Sequence, residues 1–466
     1  MKYVSTRGQA PVRSFSDILL AGLAEDGGLY MPETWPQFST DEWRAMRGLP
    51  YPELAAKVIA PFTAGSIDHD TLLELCRDAY SRFDHAAIVP LTQVEDGLFV
   101  QELFHGPTLA FKDMALQLLG RLFDHVLTER DERVTIVGAT SGDTGSAAIE
   151  ACRGRDRLTV VILHPEGRTS DVQRRQMTTV LDNNITNLAI KGTFDDCQDM
   201  VKAMFADLPF RQDMKLSAVN SINWARIAAQ VPYYVYSALA LGAPDREVSF
   251  AVPTGNFGNV LAAWVAKQMG LPIKHLCVGS NRNDILSRFL NSNDMSTRKV
   301  VPSLSPSMDI QVSSNFERLL FEYLGRDADA CAKLMTGFRT TGKMDVPEKV
   351  WESIHTLFSG IALDDEETEA QIRSMHEKSQ YLADPHTIIG IAAGRKFREP
   401  GIPMVAMATA HPAKFPDAMR AATGIKPALP PALADLFDRE ERFRVVDSTL
   451  DGVEDAVRSA ALSNRH

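Results

Sequence analysis

Beyond residue 98 the chain switches between two hydrophobic rhythms. Short β-rich runs occupy 99–104, 133–137, 158–163, 185–190, 215–219, 246–252, 274–278 and 403–408. Between them lie stretches with helical spacing. One contains Phe111, Met114, Ala115, Leu118, Leu119, Leu122, Phe123 and Val126; others cover 193–206 and 224–241. Strands alternating with helices of this length predict α/β architecture, with parallel sheets covered on both faces. Residues 1–95 read instead as a mostly helical region. Residues 316–382 read as all-helical, and 291–314 as a polar, Ser/Pro-rich loop.

A chain of 466 residues exceeds what one core usually supports, so two or three domains are expected. Sixty acidic against 49 basic residues leave a net charge of -11, which gives no overall attraction to nucleic acid or to an anionic membrane. An anionic substrate therefore needs a local cationic or amide-lined pocket. Five scattered cysteines without a CxxC pair, and no HExxH helix, support neither a disulfide framework nor a metal site. The first 20 residues hold no apolar signal-peptide core, and 227–241 is short and interrupted for a membrane span. A reducing cytoplasm is the expected location. Nothing in the sequence decides between a monomer and a homo-oligomer.

Three segments carry candidate chemistry. In 102–113, ELFHGPTLAFKD, Lys112 falls in the first turn of a helix beside its apolar stripe. Lowering a lysine pKa from about 10.4 to 7–8 takes roughly 3–4 kcal/mol. A helix N-terminus gives only about 0.3–1 kcal/mol, so burial or covalent attachment to an aldehyde must provide most of it. The competing reading is a surface lysine lying along an amphipathic helix.

The loop 139–145, ATSGDTG, joins a strand to a helix of small residues, where amides can hold carboxylate or phosphate and Thr140, Ser141 and Thr144 add hydroxyls. A capped structural turn fits equally well, and Asp143 sits awkwardly for an anion site. The third segment, 253–259 (PTGNFGN), offers two glycines and an amide cradle suited to a phosphate monoester, although without the GK[ST] of a Walker loop. Thr409 follows the strand candidate 403–408, where α/β ligands gather. Arg168 and Arg226 are candidate phosphate partners, with solvated salt bridges as the alternative.

These segments resemble the threonine synthase family of pyridoxal-phosphate (PLP) enzymes, and the likeness runs nearly the whole chain. Further matching motifs are YVSTRG (3–8), DGGLYMPE (26–33), HPEGR (164–168), SINWAR (221–226), SPSMDI (305–310), SSNFER (313–318), Asp384-Pro-His386 and TAHPAK (409–414). The length of the amino-terminal region is similar to that of the longer, bacterial and fungal branch. The resemblance implies a tryptophan-synthase-β-like (fold-type II) structure with two parallel-sheet domains and a mostly helical N-terminal region.

It further implies a larger PLP-binding domain from 96–132 and 246–430, with a helical insertion at about 316–382. A smaller α/β domain is expected over 133–245, and a C-terminal extension over 431–466. Lys112 is implied to carry PLP and to move protons. Gly255, Asn256, Phe257, Gly258 and Asn259 are implied to hold its phosphate, and Thr409 to face the ring nitrogen. Asp143 stands where many relatives in the wider superfamily have Asn, beside the ring oxygen.

Thr140, Ser141, Thr144, Arg168, Ser314 and Asn315 are expected to bind substrate, with Lys414 and Ser313 as further phosphate candidates. The implied reaction is loss of phosphate from O-phospho-L-homoserine and addition of water, giving L-threonine. The alternatives are a serine or threonine dehydratase-type β-eliminase and a non-catalytic ligand-binding relative. A dinucleotide oxidoreductase is disfavoured, because no GxGxxG follows any strand candidate.

Overall fold

The computed structural model describes residues 1–140 and 142–464; Ser141 lies outside the described residues. Two sheets organise the chain. The larger runs Phe358–Ala362, Ile273–Ser280, Val248–Pro253, Met404–Ala408, Leu98–Glu102, Leu91–Glu95 in spatial order. Its first five strands are parallel, and the last pair forms an antiparallel hairpin. The smaller sheet runs Arg444–Asp447, Ile185–Lys191, Leu158–Pro165, Val134–Ala139, Leu216–Ser217, all parallel. Strands Leu158–Pro165, Val248–Pro253 and Met404–Ala408 are buried at every position. Central parallel strands covered on both faces need such continuous apolar runs, so the sequence rhythm located them.

The N-terminal region contributes helices Phe15–Ala21, Thr40–Ala45, Tyr51–Thr63 and His69–Tyr80, and a small antiparallel pair, Tyr3–Ser5 with Tyr30–Pro32. It shares the main core. The rings of Tyr3 and Phe62 stand 6.2 and 5.7 Å from Trp224, and Arg7 forms a buried 2.9 Å ion pair with Glu317.

Three expectations need correction. Residues 316–382 are not all-helical, since Phe358–Ala362 is an edge strand of the larger sheet. Its run of five is too short to separate from the surrounding helices by periodicity. The helix expected over 224–241 divides into Trp224–Ala228 and Val231–Ala240. Pro232 lacks the N–H that a continuous helix requires and instead occupies the first turn of the second piece. Leu91–Glu95, at the end of the region read as mostly helical, is a strand that pairs with Leu98–Glu102 across a tight hairpin, while the region's four helices bear out that reading. The strand Arg444–Asp447 and helix Leu450–Ser463, from the expected C-terminal extension, pack on the smaller sheet through Val446, Val453, Ala456 and Val457. Among the described residues no helix is long and apolar enough to cross a membrane.

Candidate active site

Three adjacent parallel strands end at one edge of the larger sheet, at Glu102, Pro253 and Ala408. Neighbouring strands stand about 4.8 Å apart, so the segments leaving them meet above that edge. Phe111 N–H donates to Thr409 O at 2.8 Å and His411 N–H to Leu109 O at 3.0 Å. These bonds fix Lys112, the first residue of helix Lys112–Arg130, beside Thr409. Asp113, wholly buried, folds the approach to the lysine by accepting Thr108 N–H and Oγ1, both at 2.8 Å. Burial pushes its carboxyl up to about 7, against the Thr108 bonds and Lys414.

The smaller sheet supplies the opposite wall. Strand Val134–Ala139 runs into a loop that Thr140 shapes by accepting the N–H groups of Gly142 and Gly145 at 2.9 and 3.0 Å. Gly142 has φ +149, and a Cβ there would lie 2.5 Å from Gln173. That close approach delivers Gln173 Nε2 to Asp143 Oδ1 at 2.8 Å. Asp143 Oδ1 also lies 2.8 Å from Lys414 Nζ, and its Oδ2 is 3.4 Å from Lys112 Nζ. Lys414, wholly buried, donates as well to Thr108 O at 2.7 Å.

A cation–anion–cation chain thus bridges the two sheets. Burial alone would raise the Asp143 pKa, but Lys414 and Lys112 hold it well below the usual carboxylate range. Burial lowers the Lys112 pKa; Asp143 opposes this, while the charges of Lys414 and Arg226 add to it.

The third wall is rich in donors without acceptors. Phe257 takes φ +64 and turns the chain into helix Gly258–Gln268. Among the described residues, the N–H groups of Asn256, Phe257, Gly258 and Asn259 have no acceptor. Asn259 Oδ1 accepts the hydroxyls of Tyr233 and Tyr234 at 2.5 and 2.6 Å, which leaves its buried Nδ2 unpaired.

Arg226 is buried, and among the described residues its guanidinium donates only Nη1, to Val219 O at 3.0 Å, and leaves Nε unpaired. No carboxylate among the described residues pairs with it, and burial pushes its pKa down to about 10. Such an excess of buried donors and positive charge calls for an anion. An aldehyde cofactor bearing a phosphate fits: an amine whose pKa burial lowers for the aldehyde, and free amides for the phosphate.

The structure therefore brings together Lys112, Asp143, Thr140, Asn256 to Asn259 and Thr409, whose buried hydroxyl makes no hydrogen bond among the described residues. Thr144 and Ser314 are half-buried and make no side-chain hydrogen bond among the described residues. Asn315 is committed to Ser221 O and Asn256 O at 3.1 and 3.0 Å. Arg168 is exposed and acts on Asp196 rather than on Lys112. Sequence reading missed Asp113, Gln173, Tyr233 and Tyr234, and it did not pair Lys414 with Asp143. Only the HPAK run beside Thr409 hinted at the last.

Comparison with known proteins agrees along the whole chain. Residues 2–80 match the family described as threonine synthase N terminus, 85–403 pyridoxal-phosphate dependent enzyme, and 387–457 threonine synthase, C-terminal. The threonine synthase of Pseudomonas aeruginosa is 55% identical over 452 residues, covering 97% of this chain and 96% of that one. The crystal structure of PLP-bound threonine synthase from Brucella melitensis superposes with a TM-score of 0.97 at 55% identity, covering 99% of each chain. That of threonine synthase from yeast gives 0.93 at 39% identity, again over 99% of each. The longer-branch likeness, the fold-type II architecture and the PLP cofactor are thereby established, and the chain belongs to the threonine synthase family of PLP-dependent lyases.

Proposed function

We propose that the chain converts O-phospho-L-homoserine and water into L-threonine and phosphate. PLP, when bound, supplies an electron-withdrawing ring that acidifies carbons near the substrate amine. The protein's part is to hold groups and move protons. Lys112, buried and with a depressed pKa, carries the cofactor and then acts as the base and acid at the substrate carbons. Gly255 to Asn259 would hold the cofactor phosphate, with the free amides of 256–259 and Asn259 Nδ2, and the Thr409 hydroxyl would serve the ring nitrogen.

Asp143, kept ionised by Lys414, stabilises the Lys112 ammonium once that amine has taken a proton from a substrate carbon. Arg226 takes the substrate phosphate, because its guanidinium has charge and donors to spare. Thr140, Ser141 and Thr144 bind the substrate carboxylate. The sheets form the two halves of the cleft, one in a domain of 96–132 and 246–430 joined by strand Leu91–Glu95, the other in a domain of 133–245 completed by Arg444–Asp447. All five cysteines are free and buried, as suits a reducing cytoplasm.

The observation that carries this reading is a largely buried lysine amine, 3.4 Å from a carboxylate, at a sheet edge whose neighbouring loop 256–259 has unpaired donors. Holoenzyme incubated with O-phosphohomoserine should release equal amounts of phosphate and threonine. A keto acid and ammonia in place of threonine would refute it. Borohydride reduction followed by peptide mapping should place the cofactor on Lys112.

A further inference from the structure

Backbone amides can grip an anion only where the neighbouring carbonyls, each partly negative, point elsewhere. Two loops border the donor-rich wall, 219–223 and 254–259, and their carbonyls are captured one by one. Gly255 O accepts the Ser313 hydroxyl at 2.6 Å. Asn256 O accepts both the N–H and Nδ2 of Asn315, at 3.1 and 3.0 Å. The same Nδ2 reaches Ser221 O at 3.1 Å, and Arg318 Nη2 reaches Ile222 O at 2.6 Å. Three side chains of one six-residue segment, 313–318, therefore take carbonyls from both loops.

Arg318 has the stronger claim to purpose. It is wholly buried, no carboxylate pairs with it among the described residues, and burial pushes its pKa down to about 9. It binds only neutral acceptors: Ile222 O, Tyr30 O at 3.0 Å, and the Asn315 side-chain oxygen. A buried charge held by neutral oxygens is a poor stabiliser of a fold, and an apolar residue of similar size would do better. What the guanidinium does provide is direction. Binding Asn315 Oδ1 fixes which way that amide faces, so its Nδ2 must point at the two carbonyls. Tyr30 O anchors the arrangement to the N-terminal region, where Thr6 and Arg7 hold the adjacent Glu317 at 2.7 and 2.9 Å.

We infer that Ser313, Asn315 and Arg318 are positioning residues that turn the carbonyls of loops 219–223 and 254–259 out of the cleft, leaving the amides of 256–259 for phosphate, and that the N-terminal region secures this through Arg318. The inference rests on 255–259 being the cofactor-phosphate cradle. Asn315, expected from sequence to bind substrate, acts here through the loops it orders.

The test compares the affinity of the apo-protein for PLP and for pyridoxal, which has the same aldehyde and no phosphate. Wild type, Ser313→Ala, Asn315→Ala and, as a cradle control, Gly255→Ala are measured, with phosphorus NMR of the bound cofactor. Because both ligands report on the folded fraction alike, their affinity ratio is insensitive to partial unfolding. Ser313→Ala and Asn315→Ala should each lower the PLP-to-pyridoxal ratio by about tenfold and shift the phosphorus resonance, with pyridoxal affinity unchanged. Equal weakening of both ligands, or a ratio that only Gly255→Ala lowers, overturns the inference and leaves the cradle reading intact. A wild type that does not prefer PLP over pyridoxal overturns the cradle reading and the inference together. If Asn315→Ala yields no folded protein, Ser313→Ala, which removes a single hydroxyl, decides.

Discussion

Lys414 Nζ lies 2.8 Å from one oxygen of Asp143, and Lys112 Nζ lies 3.4 Å from the other. Asp143 and Lys414 are buried and Lys112 largely so, and neither lysine can be changed without altering the field at its counterpart. Asp143 favours the ammonium form of Lys112, whereas Lys414 disfavours it. Asp143→Asn should therefore lower the Lys112 pKa further, and Lys414→Met should raise it. The pH dependence of amine acylation at Lys112 in the apo-protein, followed by peptide mapping, reads both shifts. Displacement of the two profiles in the same direction would disprove the arrangement. Lys414→Met should also destabilise the fold by about 3–5 kcal/mol, because it leaves a buried carboxylate short of its principal partner.

Arg226 gives a prediction in which stability and activity part company. Among the described residues its buried guanidinium has one acceptor and no carboxylate partner, so it strains the free protein and benefits an anionic ligand. Arg226→Met should leave the melting temperature unchanged or raised, while kcat/KM falls about tenfold to a hundredfold or more. Inorganic phosphate should inhibit wild type and lose most of that effect in the variant. Loss of activity accompanied by loss of stability would mark Arg226 as a structural residue.

The sequence was most readable where burial is uniform. Leu158–Pro165 and Met404–Ala408 are buried at every position because both faces are covered, and the ends of Val134–Ala139 and Met404–Ala408 marked the loops that carry Thr140, Asp143 and Thr409. Phe358–Ala362 escaped because five residues between helices carry no distinguishing period. Arg444–Asp447 escaped because it is an edge strand, exposed at three of its four positions. Local motifs identified Lys112 and the glycine loops, since those functions depend on neighbours in sequence. The Asp143–Lys414 pair and the bonds of Asn315 depend on which strands lie side by side, and no local pattern encodes that. An Asn in a serine-rich motif looks the same whether it meets substrate or a backbone carbonyl.

Asp113 should leave a mark on the pH dependence of folding. Its pKa is raised by burial from an ordinary 3.8 to about 7, so between those values the folded state holds a proton that the unfolded state has lost. Stability contributed by this group is complete below pH 4 and disappears as pH climbs toward 7, with a slope of up to about 1.4 kcal/mol per unit. Asp113→Asn removes that dependence. The stability of the variant relative to wild type should therefore rise steadily from pH 4 to pH 7 in denaturant titrations. A flat difference would mean that Asp113 is ionised throughout the range.

Residues 444–463 complete the smaller sheet, which has a consequence for catalysis at a distance. Arg444–Asp447 shields the edge of Ile185–Lys191, and Val453 and Val457 are wholly buried against that sheet's core. Thr140 and Asp143 hang from the same sheet, whereas Lys112, Thr409 and the 254–259 loop belong to the other. The double substitution Val453→Ala with Val457→Ala should destabilise by about 2–4 kcal/mol through cavity formation. The loss should fall unequally across the molecule. Amide hydrogen exchange should accelerate in the strands Val134–Ala139, Leu158–Pro165 and Ile185–Lys191 before it does in Val248–Pro253 or Met404–Ala408. Turnover should drop with it, since the carboxylate facing Lys112 becomes less well held, while borohydride labelling of Lys112 persists. Uniform acceleration in both sheets would show that they open as one unit, and that the C-terminal elements stabilise the whole molecule rather than the wall carrying Asp143.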